Sequence, residues 1–174
     1  MPKERPTITS AAATPAGWSS ERSAELYGIN TWGAGYFDLS EQGEAQVNVD
    51  FGEHQVAVSI MDIVLGMRAR GLHMPAVLRI RNLLDHRIKL LNESFAQAIE
   101  QGGYQNTYRG VFPIKVNQQC HVIEEIADYG RRYHHGFEAG SKAELIIALS
   151  QLKDHGSLIV CNGYKDAEFI DLGL

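Results

Sequence analysis

Lys115 stands at the far end of a short apolar run, Tyr108-Arg-Gly-Val-Phe-Pro-Ile-Lys-Val-Asn-Gln-Gln119, just ahead of a polar turn. The run is too short for a helix and rich in residue types that suit a half-buried strand. An amine at the C-terminal end of such a strand reaches the place where α/β proteins assemble their sites. Ile114 and Val116 on either side predict partial desolvation, which disfavours the ammonium form and leaves a lone pair for attack. Lysines so placed condense with carbonyl compounds to Schiff bases, pyridoxal phosphate (PLP) above all. Most lysines are solvated surface charges, so the spacing alone leaves that plainer reading open.

Two more polar residues recur at what read as matching points of the following segments. Glu138 comes 23 residues after Lys115 (138 − 115), and Asn162 comes 24 after Glu138 (162 − 138). Glu138 lies within one short buried run, 136–139, and Asn162 directly follows another, 158–161. Between them the text is helical: 121–132 has an apolar side of Val122, Ile123, Ile126 and Tyr129. Ser141 and Glu144 form an S-x-x-E capping box that opens another helix, and Asp166 begins a further one. Upstream, the spacing predicts a helix over 60–70, capped by Ser59 and stopped by Gly71, then a strand over 75–80. A long helix follows, with Leu84, Ile88, Leu91, Phe95 and Ile99 on one side and Gly102-Gly103 at its end. Such alternation means a parallel sheet with right-handed crossovers, open or closed into a barrel. At most four strand–helix units fit between 76 and 172, whereas a closed barrel of eight needs about 250 residues. The front half of a barrel is favoured over a small open sheet.

Ahead of these units, residues 1–22 read as a disordered tail, rich in Thr, Ser, Ala and Pro. Strands over 36–39 and 45–49 form a hairpin around a Gly-containing turn. Gly33 and Gly35 make a lone G-x-G, better explained by a close turn than by phosphate binding. With 174 residues, 44% hydrophobic and 21% charged, the chain has the makings of a globular core. Its net charge of −5 argues against general nucleic-acid or anionic-membrane binding. No apolar stretch has the length of a membrane span, and the N-terminus lacks a signal-peptide pattern. Cys120 and Cys161 fit no metal or redox spacing, so reduced thiols in the cytoplasm are expected.

Several other signals carry bland readings. His134-His135 suggests a metal, but neighbours on an extended chain face opposite ways, and a solvated connection accounts for them. Arg131-Arg132 suits a helix C-terminus. Asn92-Glu-Ser94 is a glycosylation sequon inside a helix and is discounted. Cys120 follows the lysine turn but has no base beside it.

Four motifs taken together resemble one family. Tyr27-Gly-Ile-Asn-Thr-Trp-Gly-Ala-Gly-Tyr-Phe37, Pro113-Ile-Lys-Val-Asn117, Gly136-Phe-Glu-Ala-Gly-Ser-Lys142 and Cys161-Asn-Gly-Tyr-Lys-Asp166 occur in the order found in biosynthetic arginine decarboxylases. Those enzymes are PLP-dependent decarboxylases built on an alanine-racemase-like barrel, and the likeness runs from about residue 25 to the end. It implies an α/β fold, a partial (β/α)8 PLP-binding barrel over 59–174, preceded by a short β-hairpin segment over 23–58 that belongs to an accessory β-domain. It implies that Lys115 carries PLP as a Schiff base, that Glu138 lies next to the cofactor, and that Asn162 faces the site. Asn117 and Ser141 are explained by turn formation and helix capping.

The implied reaction is decarboxylation of L-arginine to agmatine and CO2, feeding putrescine and spermidine synthesis. Decarboxylation of another basic amino acid (ornithine, lysine or diaminopimelate) stays open, as does a non-catalytic PLP-binding role. Magnesium is implied by the family alone, since no carboxylate cluster here has ligand spacing. Neither nucleic acid nor membrane is an expected partner. A homo-oligomer is expected of the full-length form, of which this chain resembles the N-terminal portion, inactive by itself.

Overall fold

The structure, a computed structural model, describes residues 17–51 and 54–174. Most of the tail expected over 1–22 lies outside the described residues. The chain divides into two compact units, Met1–Val77 and Leu78–Leu174.

In the first unit the chain is already helical before the expected tail ends. Ser19 caps helix α1 (Ser20–Leu26), its side chain accepting from the Arg22 N–H at 3.2 Å. Gly28, at φ 64°, turns the chain into the single turn α2 (Ile29–Trp32). Neither helix is long enough for a legible apolar period. A Cβ at Gly33 would overlap the Ile29 and Phe37 carbonyls, and Gly35 sits at φ 80°, so the G-x-G is a close turn. Strands β1 (Phe37–Leu39), β2 (Ala45–Phe51) and β3 (His54–Ser59) then form an antiparallel meander, with Phe37 opposite Val47 and Val47 opposite Val58. The expected hairpin is therefore three-stranded. β3 escaped notice because His54 to Ala57 are exposed, which leaves no in–out alternation to read.

Helix α3 (Ile60–Ala69) starts where the sequence places it, with the Ser59 side chain accepting from the Asp62 N–H at 3.2 Å. It ends in a Schellman motif, Leu72 N–H to the Met67 carbonyl and Gly71 N–H to that of Arg68, both 3.0 Å. Because α3 packs on β2 and β3, the division of the chain falls after Val77, not after residue 58. Both tryptophans belong to this unit. Trp18 donates to the Ser23 hydroxyl at 2.8 Å and lies over Gly43, and Trp32 donates to the Tyr27 carbonyl at 3.0 Å.

The second unit contains the expected alternation with one strand missing. Helix α4 (Arg81–Gly102) ends on Gly103 at φ 63°. Strand β4 (Val111–Pro113), helix α5 (Cys120–Gly130), strand β5 (Gly136–Ala139), helix α6 (Lys142–Gln151), strand β6 (Ile159–Cys161) and helix α7 (Ala167–Gly173) follow. The three strands are parallel and adjacent in chain order. Residues 75–80 are unpaired, contrary to expectation, and Val77 is 80% exposed. Strand propensity there finds no neighbouring ladder, and without one it does not make a strand.

The core lies between the sheet and its helices. Ile88 of α4, Ile123 and Ile126 of α5, Phe137 of β5 and Ala148 of α6 enclose Ile114, and Ala139, Leu145 and Phe169 make a second cluster. Phe137 and Ala139 thus face the helices, and the two-residue period of a strand turns Glu138 to the opposite side. Among the described residues no helix is long and apolar enough to cross a membrane.

Candidate functional site

β4 ends at Pro113, and Lys115 sits in a 3-10 turn over Ile114–Val116 rather than in the strand. Proline at 113 offers no N–H to continue a ladder. Ile114 is fully buried and anchors this turn, and the Asn117 N–H closes it on the Ile114 carbonyl at 3.1 Å. Val116, expected to shield the amine, is 69% exposed. The Lys115 side chain is 63% exposed, so the anticipated desolvation is not there. What the turn does supply is aim.

Lys115 Nζ lies 3.5 Å from Glu138 Oε1, and the Glu138 side chain is only 8% exposed. That oxygen is buried and has no hydrogen-bond partner. The two observations are compatible: at 3.5 Å the groups pair through charge without an aligned hydrogen bond. A buried carboxylate oxygen left in this condition costs free energy unless a donor or cation reaches it.

Strand register corrects one inference. Pro113 is level with Glu138, which is level with Val160. Lys115 and Asn162 therefore lie two residues beyond the level of Glu138, so the three do not occupy one point of three equivalent units. Asn162 is exposed at the end of β6, and its N–H extends the ladder to the Ala139 carbonyl at 3.2 Å. Its carbonyl and that of Gly163 both accept from the Lys165 ammonium.

The turns after β5 and β6 form the rim. Ser141 caps α6, accepting from the Glu144 N–H at 3.3 Å. The return bond of the capping box goes to Gly140, whose N–H donates to Glu144 Oε2 at 2.6 Å. Lys142 pairs with Asp166 at 2.8 Å and also with Glu168. Its pKa is raised, first by the hydrogen bond to Asp166 and then by that to Glu168. Asp166 is lowered in turn, first by Lys142 and then by the Phe169 N–H it caps. Asn117 accepts from the Gln119 N–H at 3.1 Å, the turn role expected of it.

Other groups escaped the sequence reading. On α4 and α5, Arg81 pairs with the buried Glu125. Burial first, and then a hydrogen bond to Glu125, raises Asp85 from 3.8 to about 6. Arg81 and Asp85 are four apart on one helix, but nothing in the text reveals Glu125 as their neighbour. His135 is not a solvated connector. It is 5% exposed, 3.5 Å from the Asn92 amide, and burial lowers its pKa. His134 does face the other way, bonding Asp154 at 2.7 Å. Cys120 donates to Glu124 at 3.2 Å, and that carboxylate raises its pKa, as suits an unreactive thiol. Among the described residues no group of three or more His, Cys, Asp or Glu could hold a metal ion.

The donors at Lys115 and Glu138 fit PLP: a solvent-reachable amine for its aldehyde, beside a buried carboxylate oxygen that lacks a donor. Comparison with known proteins points to the same cofactor. Residues 87–173 match the family described as pyridoxal-dependent decarboxylase, pyridoxal binding domain. The biosynthetic arginine decarboxylase of Gloeobacter violaceus is 46% identical over 157 residues, which are 90% of this chain and 24% of that protein. The enzyme of the same name from Synechococcus sp. strain RCC307 is 43% identical with the same coverage. The crystal structure of the biosynthetic arginine decarboxylase from Campylobacter jejuni superposes with a TM-score of 0.76 at 33% identity, covering 84% of this chain and 24% of that one. The chain thus spans about a quarter of the length of the relatives it matches.

Proposed function

Since the chain belongs to the pyridoxal-dependent decarboxylases, through their pyridoxal-binding domain, we propose that it supplies the lysine-bearing wall of an arginine decarboxylase. Its strands β4, β5 and β6 would be successive staves of a (β/α)8 barrel. The reaction is conversion of L-arginine to agmatine and CO2, the entry to putrescine and spermidine synthesis. Arginine as substrate rests on the names of the relatives. A cytoplasmic setting, with the free thiols Cys120 and Cys161 reduced, and a homo-oligomer of the whole protein belong to the same proposal.

The observation that carries the reading is the pairing of an exposed amine with a buried, unbonded carboxylate oxygen, 3.5 Å apart. Lys115 Nζ is the atom that binds the cofactor aldehyde. Glu138 Oε1, 3.5 Å away, would take a proton from that nitrogen or return it. Asn162, two residues beyond the level of Glu138 on the neighbouring strand, is the third candidate at the rim. PLP, when bound, supplies the electron sink for the pair left at Cα as CO2 departs. Magnesium is implied by the family likeness alone, and no step is assigned to it.

Titration with PLP followed by borohydride reduction tests the assignment. Mass mapping should find the reduced adduct on Lys115 and none in Lys115→Ala. A folded protein that traps PLP elsewhere, or not at all, overturns it. The 174-residue chain by itself should release no CO2 from arginine at an enzymatic rate, because barrel enzymes commonly grip phosphate with loops after strands seven and eight. Ordinary turnover by this chain would contradict that expectation.

A further inference from the structure

At the opposite end of β4 and β5 from Lys115, the segments leading into the two strands enclose a cavity of about 310 Å3 against α4. That is the small end of the range for ligand pockets, about 300–1,000 Å3. Three features give it chemical character. Arg109 and Arg132 both line it, in a chain whose net charge is −5. Arg132 rests 4.0 Å from the Tyr129 ring and spends its Nε–H on the Tyr129 carbonyl, so its terminal nitrogens are not used by that bond. Tyr108 is stacked on Phe95 at 4.0 Å and 4°, a flat wall held in place from behind. Asn92, 6% exposed, turns its amide nitrogen to the Ile88 carbonyl at 2.8 Å and toward His135 at 3.5 Å. Its carbonyl oxygen takes no part in either of these contacts, and Asn92 lines the cavity.

We propose that this cavity binds an organic phosphate bearing a flat, amino-substituted ring, the chemistry of a nucleoside monophosphate. The guanidinium groups of Arg109 and Arg132 take the phosphate, Tyr108 takes the ring face, and Asn92 accepts from the ring amine. The site is separate from Lys115 and Glu138 and does not depend on the reading given above for them.

Calorimetric titration of the chain with AMP tests this, with adenosine and inorganic phosphate as separate arms. AMP should bind saturably and about tenfold more tightly than either. Added salt should weaken it, and Arg109→Gln should weaken it about fivefold. Ala96→Phe, an exposed position on α4 that lines the cavity, should block binding while keeping the charges. Lys115→Ala should leave it unchanged. Absence of saturation, adenosine or phosphate binding as tightly as AMP, indifference to Arg109→Gln, or loss with Lys115→Ala would each overturn the proposal.

Discussion

Asp85 shows how a single carboxyl is governed by a neighbour from another helix. Its pKa is raised from 3.8 to about 6, by burial first and then by Glu125. A carboxyl whose folded pKa is raised favours the fold while protonated. Its contribution is complete below the unfolded value of 3.8, declines as pH rises through about 6, and is absent above. Asp85→Asn stays neutral throughout, so it should stabilise at pH 8 by about 1 kcal/mol after solvent screening, and hardly at all near pH 4. Urea midpoints at the two pH values check this. Asp154 has the opposite sign: bonds from His134, Ser157 and Gly156 lower it to about 2. Its contribution is present above 3.8 and lost as pH falls through about 2, so Asp154→Asn should lower the melting temperature at neutral pH and have much less effect at pH 2 and below. Lys115 stands out in the sequence because it follows an apolar run, and Glu138 because it interrupts one. Asp85 and Glu125, forty residues apart in sequence (125 − 85), were not, because only the packing of α4 on α5 joins them.

Among the elements, helices α3 to α7 were legible, the short α1 and α2 were not, and strands were less so. Ser59, Ser141 and Asp166 each cap the helix that follows, and Gly71 and Gly103 stop theirs, since caps are local chemistry written in local sequence. Gly103→Ala should cost about 1 kcal/mol, the penalty for a side chain at positive φ. Strands depend on partners, which is why 75–80 reads as a strand and is unpaired while β3 is paired and does not read as one. Gly136 is the tightest point of the parallel sheet, because a Cβ there would overlap the Leu158 carbonyl. Gly136→Ala should separate β5 from β6 and cost about 3 kcal/mol or more, measured by chemical denaturation beside Gly103→Ala as a milder control.

For the chain as a whole, the sheet of the second unit has β4 and β6 at its edges, each short and parallel. Such edges invite pairing with other chains. Leu158, just ahead of β6, is 47% exposed and Val116, beyond β4, 69%. Dilution series in size-exclusion chromatography should therefore show self-association that rises with concentration, and concentration-independent elution would refute it. The α/β alternation was readable because each helix and strand carries its own period. The division after Val77 was not, because it depends on α3 packing backward onto β2 and β3.

Trp18 and Trp32 are the chain's two indoles, and both lie before Val77. Selectively excited emission consequently reports melting of the first unit alone, while α4 to α7 dominate far-ultraviolet circular dichroism. Superimposable curves from the two optical signals would mean that the whole chain melts as one cooperative body, and separated curves would give each unit a transition of its own.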